Sequence, residues 1–196
     1  MEHKGSEERK PVMENGASSY RRFLAGDDNA LREIIELHKD GLALYLNTIV
    51  RNICTAEELT EEVFVELVVK KPEFSDRSSF STWLYAIGRN IACDYIRKSS
   101  RRRTVSIDEL YQMSDEEDIE KNMLRDEQRI RLRRALSELD SDHSQVLFLK
   151  YFGGFSNEET AEIMNRSKRQ IENLTYRAKQ ALRTKLESEG FEYEEY

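Results

Sequence analysis

Two separated stretches of this sequence combine positive charge with side chains that suit contact with nucleic acid. Residues 80–103, FSTWLYAIGRNIACDYIRKSSRRR, place aromatic residues ahead of a basic end, and residues 87–104 carry six basic residues against one acid. Cations beside aromatic rings suit single-stranded nucleic acid, because phosphates meet cations while unstacked bases stack on the rings. The simpler interpretation packs Trp83 and Tyr85 into a hydrophobic core, and the sequence leaves both open.

The second basic stretch lies in a predicted helix-turn-helix. Residues 166–185 hold seven basic residues and one acid. Ser156 followed by Glu159 has the spacing of a capping box. Asn165 suits the left-handed geometry of a tight turn, and Ser167 suits the cap of a second helix. A basic second helix fits the DNA major groove, and the alternative is a solvated basic face on a core helix.

The whole chain is acidic, in contrast to these two stretches. Its 196 residues include 31 Lys and Arg against 38 Asp and Glu, for a net charge of −7. Such a chain is repelled by nucleic acid on average, so any binding site must be local. No apolar run approaches the roughly 20 residues of a membrane span, and no secretory signal is visible. We therefore expect a cytoplasmic protein with no membrane insertion of its own.

Metal, redox and catalytic chemistry have little support in the sequence. Cys54 and Cys93 form no C-x-x-C pair, and the three histidines show no ligand spacing. We therefore expect no catalytic residue, no metal site and no cofactor.

Helical spacing of apolar residues predicts an all-α fold. Only two prolines and eight glycines interrupt the chain. Residues 105–128 hold nine acids and no sustained apolar periodicity, which indicates a flexible acidic linker between two small helical domains. The predicted organisation is a disordered segment over 1–19, a first domain over 20–104, the linker over 105–128, a second domain over 129–186 and an acidic tail over 187–196.

Three helical segments are predicted in the first domain. Residues 29–50 form one or two helices with Gly41 as a local irregularity, and residues 56–70 form an amphipathic helix that ends before Pro72. Its outer side carries the acidic ridge, defined as Glu57, Glu58, Glu61, Glu62 and Glu66. A helix from about 81 to 97 would align Trp83, Ile87, Ile91 and Tyr95 on one face. The predicted core of the second domain consists of Leu132, Leu136, Leu139, Val146, Leu147, Leu149 and Tyr151 in its first half and Ile171, Leu174, Ala178, Ala181 and Leu182 in its last helix.

The order of these elements resembles the extracytoplasmic function (ECF) group of the sigma-70 family of bacterial sigma factors. The strings that carry the resemblance are AEELTEEVFVEL, FSTWLYAIGRNIACDYIRK, LKYFGGFSNEETAEIM and NLTYRAKQAL, and it covers roughly residues 20–186. It implies that the first domain binds the clamp helices of the RNA polymerase β′ subunit and opens the promoter −10 element. It implies that the second domain docks on the β flap and reads the −35 element.

The resemblance also assigns residues to these tasks. The polymerase contacts would be Glu58, Glu61, Glu62 and Phe64, where Glu58 and Glu61 replace the Asp and Gln of the family pattern. The −10 contacts would be Phe74, Ser75, Asp76, Arg77 and Phe80 of a pocket for a flipped base, with Trp83, Arg89, Asn90, Arg97, Lys98 and Arg101. The −35 contacts would be Lys168, Arg169, Gln170, Glu172, Asn173, Tyr176, Arg177 and Lys179. Glu172 and Leu174 stand where relatives commonly carry cations, so the −35 sequence stays open.

The resulting hypothesis is a dissociable, non-catalytic initiation subunit with core polymerase and promoter DNA as partners. One alternative is a conventional dimeric helix-turn-helix regulator, which leaves the Trp83 region unused. Another is a di-metal carboxylate enzyme built on the helix over 57–66, but this helix lacks the E-x-x-H pair of such proteins. The sequence leaves open whether an anti-sigma factor clamps the two domains.

Overall fold

The computed structural model describes residues 16–103, 132 and 134–188, and within these ranges the chain forms helices and loops without a strand. The prediction of an all-α fold is confirmed. Residues 134–138 are helical. The helices whose first and last residues are both defined are α1 (Ala17–Leu24), α2 (Asp28–Val50), α3 (Ile53–Lys70), α4 (Phe80–Arg103), α5 (Ser141–Leu147), a π-helical turn (Phe148–Phe152), α6 (Asn157–Met164) and α7 (Lys168–Ser188). The predicted linker lies outside the described residues, as does most of each predicted terminal segment.

Helix α1 shows that the predicted start of the first domain was placed too late. The helix begins at Ala17, so residues 17–19 belong to the helical part and not to a disordered segment. Tyr20 and Phe23 are buried, and the Tyr20 hydroxyl donates a hydrogen bond of 2.7 Å to the carbonyl of Pro72. The helix thereby fixes the chain just before the loop that leads into α4. At the other end of the chain, α7 runs to Ser188, two residues into the predicted tail.

Helices α2, α3 and α4 pack closely because a glycine lies where they meet. A Cβ atom on Gly88 would lie 3.0 Å from Leu42 Cδ1 and 3.3 Å from Leu46 Cδ2 on α2, and 3.5 Å from Val63 on α3. Helix α2 continues without a break through Gly41, whose missing side chain leaves space for the Tyr85 hydroxyl. Gly41 is therefore a packing position and not the irregularity that its residue type indicated.

Helix α4 is longer than the sequence pattern predicted. It runs from Phe80 to Arg103 instead of ending near residue 97, and Arg and Lys are good helix formers that do not interrupt it. Ile87 and Ile91 pack against the core as expected, but Tyr95 is exposed. The core-facing part of α4 therefore ends at Ala92, which is fully buried.

A π-helical turn changes which residues of the second part are buried. The turn over Phe148–Phe152 closes with a hydrogen bond from the Gly153 N–H to the carbonyl of Phe148, five residues back. Leu149 is buried as predicted, but Tyr151 is 55% exposed, so its assignment to the core was wrong. The physical reason is that a π turn rotates the chain less per residue than the α-helical spacing assumes.

The two helical parts share a continuous hydrophobic core. The ring of Tyr85 on α4 lies 5.0 Å from that of Phe155, which precedes α6. Beside them, Gln145 of α5 is buried, and its Oε1 accepts hydrogen bonds from Arg89 Nε at 3.0 Å and from the Tyr45 hydroxyl at 3.3 Å. Helices α5 and α6 therefore pack directly on α2 and α4, an arrangement that the sequence pattern did not indicate.

The close packing at Gly88 predicts the effect of a larger side chain. The substitution Gly88→Val should lower the free energy of unfolding by about 1–3 kcal/mol, because α2 and α3 must move to admit the added atoms. Urea denaturation followed by circular dichroism measures the change. Asn90→Val, at an exposed position of the same helix, is the control for the effect of a β-branched residue on helix stability. An equal loss of unfolding free energy in both variants would contradict the packing argument.

The buried amide of Gln145 gives a second stability prediction. Gln145→Ala should lower the free energy of unfolding by about 1–3 kcal/mol, because the buried Tyr45 hydroxyl then loses its acceptor. The double variant Gln145→Ala/Tyr45→Phe should recover part of this loss, since the orphaned hydroxyl is gone. No recovery in the double-mutant cycle would show that the hydrogen bond has no share in stability.

Candidate protein and nucleic-acid interfaces

The acidic ridge of α3 is an exposed surface. Glu58, Glu61 and Glu62 are exposed, whereas Phe64, which was predicted to act with them, is only 7% exposed and packs in the core. The three carboxylates are therefore available to a partner in this conformation. Phe64 holds the helix in place and offers almost no surface of its own.

Three exposed valines extend this surface, and sequence reasoning did not identify them. Val65, Val68 and Val69 are 57%, 40% and 75% exposed. They follow Glu58, Glu61 and Glu62 by seven residues each, so the six side chains share one face of α3. The available clue was that these valines fall outside the i, i+4 series of the buried residues. We call these six residues the α3 stripe.

The loop before α4 is held in a defined conformation by α1. Asp76 adopts a left-handed backbone conformation with φ of 55°, and its carboxylate lies 2.5 Å from Arg21 Nη2. This hydrogen bond raises the pKa of the Arg21 guanidinium. Ser75 and Arg77, on either side, are exposed. The loop therefore presents Ser75 and Arg77 outward, while the Asp76 carboxylate is engaged by Arg21.

The aromatic residues of the predicted −10 pocket form a cluster beneath this loop. Phe74 and Trp83 are partly buried, with rings 5.3 Å apart, and Phe80 is fully buried against both. Phe80 has no surface for a DNA contact in this conformation, which corrects the expectation that it lines the pocket. Both interpretations of Trp83 hold in part, because one side of its ring packs in the core and the remainder is exposed.

The rest of α4 divides into engaged and exposed side chains. Arg89 donates to Gln145, and Arg97 pairs with Asp94 at 2.9 Å. Asn90 and Lys98 are exposed. Arg101 lies in α4, but its side chain is outside the described residues. We use the name α4 surface for five exposed residues, which are Ser75 and Arg77 of the preceding loop and Asn90, Arg97 and Lys98 of α4.

The helix-turn-helix is confirmed in its local geometry. Ser156 and Glu159 form a reciprocal capping box, and Asn165 has φ of 51° and ψ of 52° at the end of α6. Ser167 and Gln170 cap α7 in the same reciprocal way, with Gln170 Oε1 accepting from the Ser167 N–H at 2.8 Å. The Gln170 side chain is thus turned toward the helix start, which the expectation of a DNA contact did not include.

The outward face of α7 carries a row of polar and basic side chains. Arg169, Asn173, Tyr176 and Arg177 are all exposed and follow the spacing i, i+4, i+7 and i+8 of one helix face, which we call the α7 face. On the other side, Ile171 and Ala178 of the predicted apolar stripe are fully buried, and Leu174, Ala181 and Leu182 are partly buried against the core. Among the predicted −35 residues, Glu172 is also exposed.

Two flanking lysines of α7 have partners within the chain. Lys168 forms an ion pair with Glu158 of α6, and this contact raises the pKa of Lys168 and lowers that of Glu158. Lys179 lies over the ring of Tyr151, 5.1 Å from its centroid. Both lysines are exposed. The Glu158 carboxylate offsets the charge of Lys168, whereas Lys179 adds its charge to the positive potential around the α7 face.

Neither a metal-ligand cluster nor a membrane-spanning helix is found in the described ranges. These ranges contain no cluster of three or more histidine, cysteine or carboxylate side chains placed to hold a metal ion. They also contain no helix that is both long enough and apolar enough to cross a membrane.

Comparisons with known proteins match both parts of the chain. Residues 34–102 match the family model for sigma-70 region 2, and residues 129–182 match that for sigma-70 region 4. The ECF RNA polymerase sigma factor SigW of Bacillus subtilis is 25% identical over 170 residues, covering 82% of this chain and 91% of SigW. BldN of Streptomyces coelicolor, also an ECF sigma factor, is 28% identical over 163 residues, covering 82% of this chain but only 62% of BldN.

Solved structures show the same fold. The sigma factor RpoE of Bartonella quintana, in complex with the anti-sigma factor NepR, superimposes with a TM-score of 0.63 at 22% identity, covering 80% of this chain and 96% of RpoE. CnrH, in complex with the cytosolic domain of CnrY, gives the same TM-score at 20% identity, covering 87% of this chain and 96% of CnrH. With both regions present in order, the chain belongs to the ECF group of the sigma-70 family of RNA polymerase sigma factors.

Proposed function

We propose that this protein binds core RNA polymerase, directs it to promoters through a −35 and a −10 element, and promotes local DNA melting. The observation that carries this proposal is the presence of two separate exposed basic surfaces, the α7 face and the α4 surface, on a chain whose net charge is −7. One is a helix that suits duplex DNA, and the other adjoins aromatic rings that suit unpaired bases.

Reading of the −35 element would fall to the α7 face. Asn173 suits a two-point hydrogen bond to adenine, and Arg177 suits guanine or a phosphate. Their exposure at the same side of a capped helix supports this assignment. Glu172 adds an acceptor that suits the amino group of cytosine and repels phosphate, so it would shape the choice of bases.

Opening of the −10 element would use the loop and the α4 surface. Extruding a base from the stack costs a few kcal/mol, and contact with aromatic rings offsets part of that cost. Phe74 and Trp83 each keep part of their ring accessible beside Ser75 and Arg77. Lys98 lies further along α4, where it would hold the phosphates of the separated strand.

Polymerase binding would use a different surface in each part. The α3 stripe offers carboxylates for basic groups and valines for apolar contact, which is the mixture found at protein interfaces. In the second part, Tyr151 and Phe152 are 55% and 67% exposed and provide an aromatic surface for the β flap. The protein would act in the cytoplasm and contribute no catalytic residue, since the polymerase supplies the chemistry.

The rival function, a dimeric helix-turn-helix regulator, has no observation in its favour over the proposal. It accounts for the α7 face but leaves the α3 stripe and the α4 surface without a role. Run-off transcription with bacterial core polymerase on genomic fragments distinguishes the two. We expect start sites that appear only when this protein is added, whereas binding of duplex DNA without initiation would support the rival.

Substitutions on the α7 face should change sequence preference at single positions. Asn173→Ala should reduce discrimination at one −35 base pair by about 1–3 kcal/mol, because the two-point contact is lost. Run-off transcription from a library of −35 variants of a mapped promoter measures this preference. Thr184→Ala, exposed near the end of the same helix, should leave it unchanged. A uniform loss across all sequences would assign Asn173 to phosphate contact or folding.

Neutralisation of the α3 stripe should weaken polymerase binding. Glu61→Gln/Glu62→Gln should reduce the affinity for core polymerase about tenfold, the equivalent of about 1.4 kcal/mol, because two exposed carboxylates lose their charge. Fluorescence anisotropy of labelled protein titrated with core enzyme gives the affinity. The control is Glu36→Gln, which removes an exposed acid from α2. Equal affinities of the wild type, the double variant and this control would exclude the α3 stripe as the docking surface.

A further inference from the structure

Helix α1 lies before the residues that match sigma-70 region 2, and it holds the start of the segment that connects α3 to α4. This segment, residues 71–79, contains the loop assigned above to the flipped −10 base. The Lys71 ammonium lies over the ring of Phe23, 5.5 Å from its centroid. Beside it, the Tyr20 hydroxyl donates to the Pro72 carbonyl at 2.7 Å. Tyr20 and Phe23 are three positions apart on one face of α1, and together they fix where the segment leaves α3.

The same helix also holds the middle and the end of this segment. The Tyr20 ring lies 5.4 Å from the rings of both Phe80 and Trp83, at the start of α4. Tyr20 is fully buried, so this contact belongs to the core. Between the two ends, Arg21 Nη2 donates to Asp76 Oδ1 at 2.5 Å. The segment is therefore attached to α1 at its start, at its middle and at its end.

Two residues of the segment have a backbone conformation that side chains disfavour. Lys71 has φ of 44° and Asp76 has φ of 55°, both in the left-handed region. For residues other than glycine this conformation is unfavourable, and it persists where the surrounding structure holds it. Both side chains are engaged by α1. The contacts with α1 therefore fall where the backbone of the segment most needs support.

The conformation of Asp76 sets the relative placement of its two exposed neighbours, Ser75 and Arg77. Each residue has only two soft backbone dihedrals, so a rotation at Asp76 would move Arg77 relative to Ser75. The Arg21 contact opposes this rotation without covering either neighbour. It also offsets the charge of the Asp76 carboxylate, which would otherwise repel a phosphate at the loop.

We propose that α1 is a positioning element for −10 recognition, and that Arg21 and Asp76 are positioning residues that do not contact the flipped base. The pair holds Ser75 and Arg77 in the arrangement that receives this base, so the loop is ordered before DNA arrives. This assigns Asp76 a role different from the DNA contact that the resemblance implies. The inference rests on the proposed function and adds the residues that set its −10 specificity.

Amide hydrogen exchange of the free protein tests the positioning without DNA. Arg21→Gln should speed exchange in peptides that cover residues 73–79 about threefold or more, because the loop then samples further conformations. The matched control is Arg22→Gln, which removes the neighbouring cation of α1, whose partners Asp27 and Glu33 lie outside the loop. Unchanged exchange over 73–79 in Arg21→Gln, or an equal increase in both variants, would overturn the inference.

Base preference in the holoenzyme tests the effect on promoter recognition. The templates come from a promoter mapped by run-off transcription. Their non-template strand carries each of the four bases, or an abasic site, at the −10 position where the wild type discriminates most strongly. Arg21→Gln should lower initiation with the preferred base about fivefold relative to the abasic template, because fewer molecules have a loop arranged to receive the base. Arg22→Gln should leave this ratio unchanged.

The ratio separates positioning from general weakening, since a variant that only destabilises the fold or repels phosphates lowers initiation from every template alike. A wild-type ratio in Arg21→Gln would overturn the inference and leave the proposed function intact. Absence of initiation by the wild type on every genomic fragment would instead contradict the proposed function, on which the exchange experiment does not depend.

A double-mutant cycle distinguishes a positioning pair from two separate DNA contacts. Asp76→Asn should lower the same ratio, and Arg21→Gln/Asp76→Asn should lose no more than either single variant, because each removes the same interaction. Arg21→Lys, which keeps a cationic donor at this position, should retain most of the wild-type ratio. Additive losses in the double variant would show that the two residues contact DNA independently and would overturn the inference.

Discussion

Burial of helix α4 on two sides is the constraint on which the rest of the structure depends. On one side Gly88 brings the helix against Leu42 and Leu46 of α2, and on another Tyr85 packs against Phe155. A helix with two buried sides has little surface left, so its polar contacts must come from its ends and from one narrow face. Asn90 and Lys98 are exposed on α4, and Ser75 and Arg77 are exposed in the loop before its first turn.

The packing between the two parts differs in character from the packing within them. Within the first part, apolar side chains and a helix-packing glycine dominate. Between the parts, aromatic rings alternate with hydrogen bonds that Gln145, Glu159 and Glu162 accept from hydroxyl donors on the other part. Interfaces that form and separate reversibly are commonly of this mixed kind, because their polar groups regain hydrogen bonds with water when exposed. The composition of the contact thus suits a joint that opens without unfolding either part.

Local features of this fold could be predicted from the sequence, and long-range features could not. The capping box of Ser156 and Glu159 and the left-handed Asn165 follow from hydrogen bonds between near neighbours, so residue type and spacing specify them. The hydrogen bond from Arg89 to Gln145 joins residues far apart in sequence, and neither residue type indicates its partner. Tyr151 was misassigned because a π turn interrupts the α-helical spacing at this point. No residue type in the segment FLKYF indicates that such a turn forms.

The candidate surfaces also contain some residues that the sequence identified and others that only the packing revealed. The acidic ridge was recognisable because runs of glutamate on one helix face leave few other interpretations. Its continuation by Val65, Val68 and Val69 was missed because apolar residues are assigned to the core by default. Phe64 and Phe80 were matched to functional positions by resemblance, and only the packing shows that both are buried.

The contacts of Arg51 bear on how the two parts stay together. At the end of α2, its guanidinium donates to the carbonyls of Ser137 and Leu139 and to the Ser144 hydroxyl, so the start of the second part is anchored beside α2. The connection over 104–131 keeps the parts on one chain, which makes their association intramolecular. A contact of modest strength is therefore enough to hold the two parts together when they belong to one chain.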